Sequence, residues 1–206
     1  NHYATHAALQ GADVLATRDF VRGVDDPTDL SAIAGFRHGT ETFSCIAGNQ
    51  PGRYVGAAPG ATFLLGRTED SISEARIEMV YWGMGAEWAD SAGADVISSS
   101  LGYMTFDAPE TSYVYADMDG RTTVVSRAAE IAAGKGILLV NSAGNEGDKT
   151  WHYIIAPADL HGDSLIAAAA VDAAGAVAAF SAYGPSADGR GKPDLAAQGV
   201  ATWVAL

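Results

Sequence analysis

Two short runs in this sequence combine reactive side chains with glycine in a way that packing alone does not demand. The first is His38-Gly39-Thr40. Imidazole titrates near neutral pH, which makes it the commonest side chain for moving a proton in a reaction. Here it stands where a loop gives way to a helical pattern, with Phe43, Cys45, Ile46 and Ala47 as the apolar face behind it. A helix so placed would hold the ring at the rim of a cleft. The second run is Asn141-Ser142-Ala143-Gly144-Asn145-Glu146-Gly147, directly after the apolar segment Ile137-Leu138-Leu139-Val140. The Asn145 carboxamide offers N–H donors that can hold negative charge developing on an oxygen. Its glycines allow backbone to come close to a ligand. Each run also has an ordinary reading: a surface histidine in one case, an Asn-Gly turn in the other. Cys45 lies seven residues after His38, about 10 Å further along a helix axis, which is too far for a thiol–imidazole pair. It reads instead as a small buried apolar side chain.

The elements that would position these groups follow from periodicity. Short runs rich in Val, Ile and Leu alternate with longer stretches of helical period, the pattern of an α/β domain with a largely parallel sheet. Strands are expected over 12–16, 61–65, 95–99 and 136–141, and helices over 40–47, 73–92 and 122–133. Ser71 or Ser73 would cap the second helix and Gly93 would follow its end; Gly134 would close the third. Residues 165–171, the turn Asp172-Ala173-Ala174-Gly175 and residues 176–180 read as a hairpin or strand pair. Residues 102–121 have no clean period and read as a loop. In an open parallel sheet, ligands bind beyond the carboxyl ends of the strands, which is where the polar run 141–147 falls. With no repeat, linker-like stretch or shift in composition, residues 1–206 read as one domain.

Together with their neighbours, these segments resemble the subtilisin-like serine proteases. His38-Gly39-Thr40 with Ile46-Ala47 resembles the family's histidine motif, and Gly56-Ala57-Ala58-Pro59-Gly60-Ala61 its step into the next strand. Ser98-Ser99-Ser100-Leu101-Gly102 resembles the substrate-binding strand, and Ser142-Ala143-Gly144-Asn145-Glu146-Gly147 the oxyanion segment. Ala156-Pro157-Ala158, Ala170-Val171-Asp172, Phe180-Ser181-Ala182-Tyr183-Gly184-Pro185 and Lys192-Pro193-Asp194-Leu195-Ala196-Ala197-Gln198-Gly199 follow in family order.

The resemblance implies a three-layer α/β fold with helices flanking a mostly parallel sheet, truncated at both ends. It implies a serine-type endopeptidase acting on peptide or protein substrates, secreted or extracytoplasmic, and needing no cofactor. His38 would be the general base and Asn145 the donor to the tetrahedral oxyanion. Ser100, Leu101 and Gly102 would carry the substrate backbone as an added strand. Ala143 and Gly144 would form one wall of the primary specificity pocket, which would favour large hydrophobic side chains if it is open. Pro157 would follow a cis peptide bond.

Parts of the family pattern are missing. Its aspartate stands in a D-[ST]-G motif, and none of Asp13, Asp19, Asp25, Asp26 or Asp29 has that context. All five read as strand-end and loop carboxylates. The G-T-S-M-A motif of the nucleophile does not occur among the 206 residues. Both ends are therefore expected to be cut from a longer protein, and the chain alone is expected to be inactive. Ser44 stands where the family usually has glycine, which should alter the packing behind His38. The short link from Gly48 to Gly56 has no counterpart of an Asn-rich calcium loop; a cation could otherwise use Asp107, Asp117 and Asp119, which also read as a solvated acidic loop. A non-catalytic homologue that keeps the groove as a peptide-binding module is the alternative.

Composition closes off other classes. A net charge of −13 and a pI near 4.5 would repel a polyanion, and no run of Lys or Arg is present to release counterions, so a nucleic-acid partner is excluded. No apolar stretch reaches the ~18 residues needed to cross a bilayer, so no membrane insertion is expected. One cysteine rules out an internal disulfide and a multi-thiolate zinc site. Gly144-Asn145-Glu146-Gly147 is neither a G-x-G-x-x-G nor a Walker pattern, which leaves a nucleotide-binding reading without a motif.

Overall fold

The computed structural model describes residues 5–28, 37–161 and 165–205; Asp29 lies outside them. The chain forms two compact units, one of residues 1–72 with 203–206 and one of residues 73–202.

In the first unit, β1 (Asp13–Asp19) pairs in parallel with β4 (Thr62–Arg67). Between them come α1 (His38–Ala47) and a small antiparallel hairpin of β2 (Asn49–Gln50) and β3 (Tyr54–Val55). Phe43 and Ala47 of α1 join Leu9 in an apolar cluster against Val14, Phe63 and Leu65. The Phe43 and Phe63 rings meet edge-to-face at 5.0 Å, a geometry that adds about 1 kcal/mol beyond area burial. A helix linking parallel strands must run back against them. The first turn of α1, carrying His38, therefore falls at the carboxyl end of β1 and β4. Ser44 is fully buried, and its hydroxyl accepts the Tyr54 hydroxyl at 3.3 Å and the Ala205 N–H at 2.9 Å. The extra oxygen at this position thus fastens α1 to β3 and to the C-terminal segment.

The second unit is built on a four-stranded parallel sheet in the order β5 (Val96–Ser99), β6 (Leu138–Ser142), β7 (Leu165–Val171), β8 (Leu195–Gln198). Helices α2 (Ile77–Ser91) and α3 (Val124–Gly134) pack on each other and on one face of the sheet. Met79, Trp82, Val125, Ala129, Leu139 and Ala167 form the centre of the resulting core. Small residues let the helices approach closely: a Cβ on Gly83 would already touch the Ala128 Cβ at 3.4 Å. Thr123 caps α3 by accepting the Ser126 N–H at 3.2 Å.

Several boundaries differ from the sequence expectation. Strand β1 runs on to Asp19 because a buried ion pair with Arg67 of β4 extends the ladder. Helix α2 starts at Ile77, not at Ser73, and neither expected serine caps it. The amides ahead of it are taken by carboxylates instead: Glu74 N–H by Asp107 at 3.0 Å, Ala75 N–H by Glu78 at 2.9 Å and Arg76 N–H by Glu110 at 2.6 Å. Residues 176–180 form no strand. After the turn at Asp172, the chain meets β7 only in an isolated bridge between Val171 and Val177. Besides β6, the ladder partner of β7 is β8, a strand that the periodicity does not reveal.

Candidate functional site

At the carboxyl ends of β5 to β8, the second unit holds a cleft of about 250 Å³. Ser100, Ala143, Gly144 and Asn145 all line it, together with Asn141 and Gln198. The polar run after β6 therefore lies where a parallel sheet places its ligands. Every lining residue is uncharged, so the cleft presents hydroxyls, amides and backbone rather than a fixed charge. Asn145 is exposed, which leaves its carboxamide able to reach a ligand.

Backbone geometry explains the glycines. Gly144 has φ +114°, a conformation that only glycine adopts without strain. Its carbonyl accepts the Ala182 N–H at 3.0 Å. At Gly147, a Cβ would lie 2.2 Å from the Ser181 carbonyl oxygen, and its N–H donates to the Phe180 carbonyl at 2.9 Å. The segment that presents Asn145 is thus clamped on both sides by residues 180–182.

Asn141, which sequence reasoning left without a role, ties the two walls of the cleft together. Its Nδ2 donates to the Leu101 carbonyl at 3.0 Å and the Ser142 carbonyl at 2.8 Å. Two carbonyl acceptors fix the amide orientation, since the opposite flip would set oxygen against oxygen. Oδ1 is left buried without a partner. On β5, Ser99 accepts the Trp82 indole N–H at 3.1 Å, which anchors the other wall to α2.

Leu101 and Gly102 do not line the cleft. The Leu101 carbonyl is occupied by Asn141, and the Tyr103 N–H is bound to the Ala156 carbonyl at 2.9 Å. The Ala156–Pro157 peptide is cis.

In the first unit, His38 is exposed on the first turn of α1, and Cys45 is half-buried further along the same helix. Asp19 ends β1 and is fully buried. Its Oδ1 accepts the Arg22 N–H at 2.9 Å, while Oδ2 accepts Arg22 Nε at 2.7 Å and Arg67 at 2.8 Å. Burial is the largest single influence on this carboxyl and pushes its pKa up, but the Arg22 amide and the two guanidiniums together outweigh it and hold the pKa below the usual value. Asp25, in contrast, is an exposed loop carboxylate paired with Arg18.

The acidic residues of the 102–121 loop serve backbone amides, some in the loop and some in the segment ahead of α2. Asp107 holds the Glu74 amide, Asp117 the Val114 amide, and Asp119 the Arg121 and Thr122 amides. Among the described residues, no group of three or more His, Cys, Asp or Glu side chains is arranged to hold a metal ion. No helix among them is long and apolar enough to cross a membrane.

Comparison with known proteins adds an independent line. The profile described as the subtilase family matches residues 3–205. A thermophilic serine proteinase of Bacillus sp. (strain AK1) is 31% identical over 191 residues, which are 89% of this chain and 39% of that protein. Subtilisin DY of Bacillus licheniformis is 31% identical over 184 residues, 88% of this chain and 57% of that one. Among solved structures, the patellamide maturation protease PatA aligns with a TM-score of 0.59 at 28% identity, over 90% of this chain and 59% of its own. A psychrophilic protease, at 23% identity and a TM-score of 0.67, shares the fold over 98% of this chain and 64% of its own. The chain thus spans about two fifths to three fifths of the length of these relatives.

Proposed function

Because the chain belongs to the subtilase family, we propose that it supplies the general base and the oxyanion donor of a serine endopeptidase acting on peptides or proteins outside the cytoplasm. The observation that carries this reading is the cleft at the carboxyl ends of β5 to β8, where an exposed carboxamide stands on glycine-shaped backbone among uncharged lining residues. A neutral, donor-rich cleft suits a reaction in which an uncharged carbonyl becomes an oxyanion. Asn145 would donate to that oxyanion. His38 would take the proton of the attacking serine and return it to the leaving amine. Ser100 to Gly102 would align the substrate backbone, with Ala143 and Gly144 beside the side chain that precedes the scissile bond. The chemistry calls for no cofactor.

We take the nucleophilic serine to lie outside these 206 residues, because the G-T-S-M-A motif does not occur among them. Loss of the nucleophile costs roughly a million-fold in rate, a value established for subtilisin itself. The isolated chain should therefore neither hydrolyse a peptide nor bind a fluorophosphonate covalently, while the full gene product should do both. Labelling of the isolated chain, or failure of the full gene product to hydrolyse a panel of N-acyl peptide anilides, would reject the proposal.

One observation favours a second reading, a homologue that binds peptides without cleaving them. Asp19 is the buried carboxylate at the end of the first unit's sheet where His38 lies, and its charge is already answered by Arg22 and Arg67. A carboxylate so engaged has little left with which to orient an imidazole. Peptide binding without turnover by the full gene product would establish this second reading.

A further inference from the structure

We propose that Ile155 fills the space in which the substrate side chain before the scissile bond would lodge, restricting this protein to peptides with glycine, alanine or serine at that position. The inference rests on the reading of the cleft as a peptidase site, with residues 100–102 and 143–144 as its two walls.

One side chain occupies the gap between those walls. A Cβ added to Gly102 would lie 2.2 Å from Ile155 Cδ1 and 2.6 Å from its Cγ1. A Cβ added to Gly144 would lie 3.0 Å from the same Cγ1 and 3.2 Å from the same Cδ1. The same two carbons therefore press on both walls, and each wall has given up its own side chain to admit them. Ile155 is 8% exposed, so the packing is close to complete. The cleft itself is lined by Ser100, Ala143 and Gly144, but not by Gly102 or Ile155. It stops where the isoleucine begins.

The backbone beneath this side chain is pinned from both directions. Ile155 N–H donates to the Ala143 carbonyl at 3.4 Å, and the adjoining Ala156 carbonyl accepts the Tyr103 N–H at 2.9 Å in an antiparallel bridge. A β-branched side chain on fixed backbone has few rotamers available to it. A phenylalanine or leucine would have to displace Ile155 from its packing, whereas a methyl or hydroxymethyl group would not. The open apolar pocket on which a preference for large hydrophobic residues was conditional is thus closed in this chain.

The test uses the full gene product and two N-acyl tetrapeptide p-nitroanilides that differ only in ending with alanine or phenylalanine. The wild type should favour the alanine peptide in kcat/KM by at least tenfold, the lower end of the discrimination a pocket achieves for a small difference in apolar size. Ile155→Gly should raise kcat/KM for the phenylalanine peptide by tenfold or more and change the alanine peptide only a few-fold. Ile155→Ala should give a smaller gain of the same sign, which keeps the test open if the glycine variant does not fold. A wild-type preference for phenylalanine, or equal losses on both peptides in the variants, would overturn the inference and leave the peptidase reading standing. Absence of turnover with either peptide and of fluorophosphonate labelling would remove the peptidase reading and this inference with it.

Discussion

Replacing Asp19 with asparagine should unfold the chain more readily without acting on any chemical step. The side chain of Asp19 is fully buried and that of Arg67 is 7% exposed, so loss of the carboxylate takes a negative charge away from the Arg67 guanidinium inside the first unit. The Arg22 side chain is 44% exposed and can turn to water, so its share of the loss is small. Breaking one side of a buried pair costs about 3–5 kcal/mol. At roughly 2–4 °C per kcal/mol for a chain of this length, Tm should fall by about 6–20 °C. The effect carries a pH signature. Because the folded pKa of Asp19 lies below the ordinary value, its ionised form stabilises the fold above about pH 4, and that contribution is lost as pH falls through the folded value. Urea titrations of wild type and Asp19→Asn at pH 7, 5, 4 and 3 should therefore show a gap that is full at pH 7 and 5 and narrows at 3. Pairing Asp19→Leu with Arg67→Met should recover most of the loss, since an apolar pair removes the need to desolvate either charge. A gap below about 1 kcal/mol at pH 7, or one that is indifferent to pH, would show that Asp19 does not stabilise the fold through its charge. A variant of the full gene product with undiminished stability and kcat reduced about ten-thousand-fold would instead make Asp19 a catalytic carboxylate.

Two further outcomes follow from buried polar groups of the second unit. Asp159 is fully buried, and its pKa is raised by burial against the opposing hydrogen bonds from the Ser126 hydroxyl at 2.6 Å and the Gly120 N–H at 2.8 Å. A raised carboxyl pKa favours the fold at low pH and loses that advantage as pH climbs through the folded value. Wild type should accordingly gain stability relative to Asp159→Asn on acidification from pH 7, as measured by urea denaturation; a constant difference would contradict this. At Asn141, substitution by aspartate should cost more than substitution by alanine, by about 2 kcal/mol, because a carboxylate turns a second acceptor toward the Leu101 and Ser142 carbonyls. Equal melting temperatures for the two variants would show that this amide does not hold the cleft walls.

What could be read from the sequence, and what could not, has a physical division. The parallel sheet and the placement of 141–147 beyond a strand were legible because an apolar run followed by an Asn-Gly-rich turn is a local pattern. Helix α2 was placed four residues too early because its leading amides are satisfied by Asp107 and Glu110 from a distant loop, which no neighbouring residue announces. Strand β8, with all four residues exposed, has no alternation of burial to betray it, and only its pairing with β7 defines it. Ile155 could not be distinguished from any other core residue, since its significance lies in Gly102 and Gly144, 53 and 11 positions away. Asn141 is visible in the sequence without a role, because the Leu101 carbonyl it binds comes within reach only once β5 and β6 lie side by side.

If the carboxamide at 145 stabilises an oxyanion in this cleft, steady-state kinetics of Asn145→Ala in the full gene product will show it. In that variant kcat should be lower by about 10²–10³-fold, the cost established for subtilisin's own oxyanion donor, with KM and the circular dichroism spectrum little changed. An unchanged kcat in a folded variant would contradict that role.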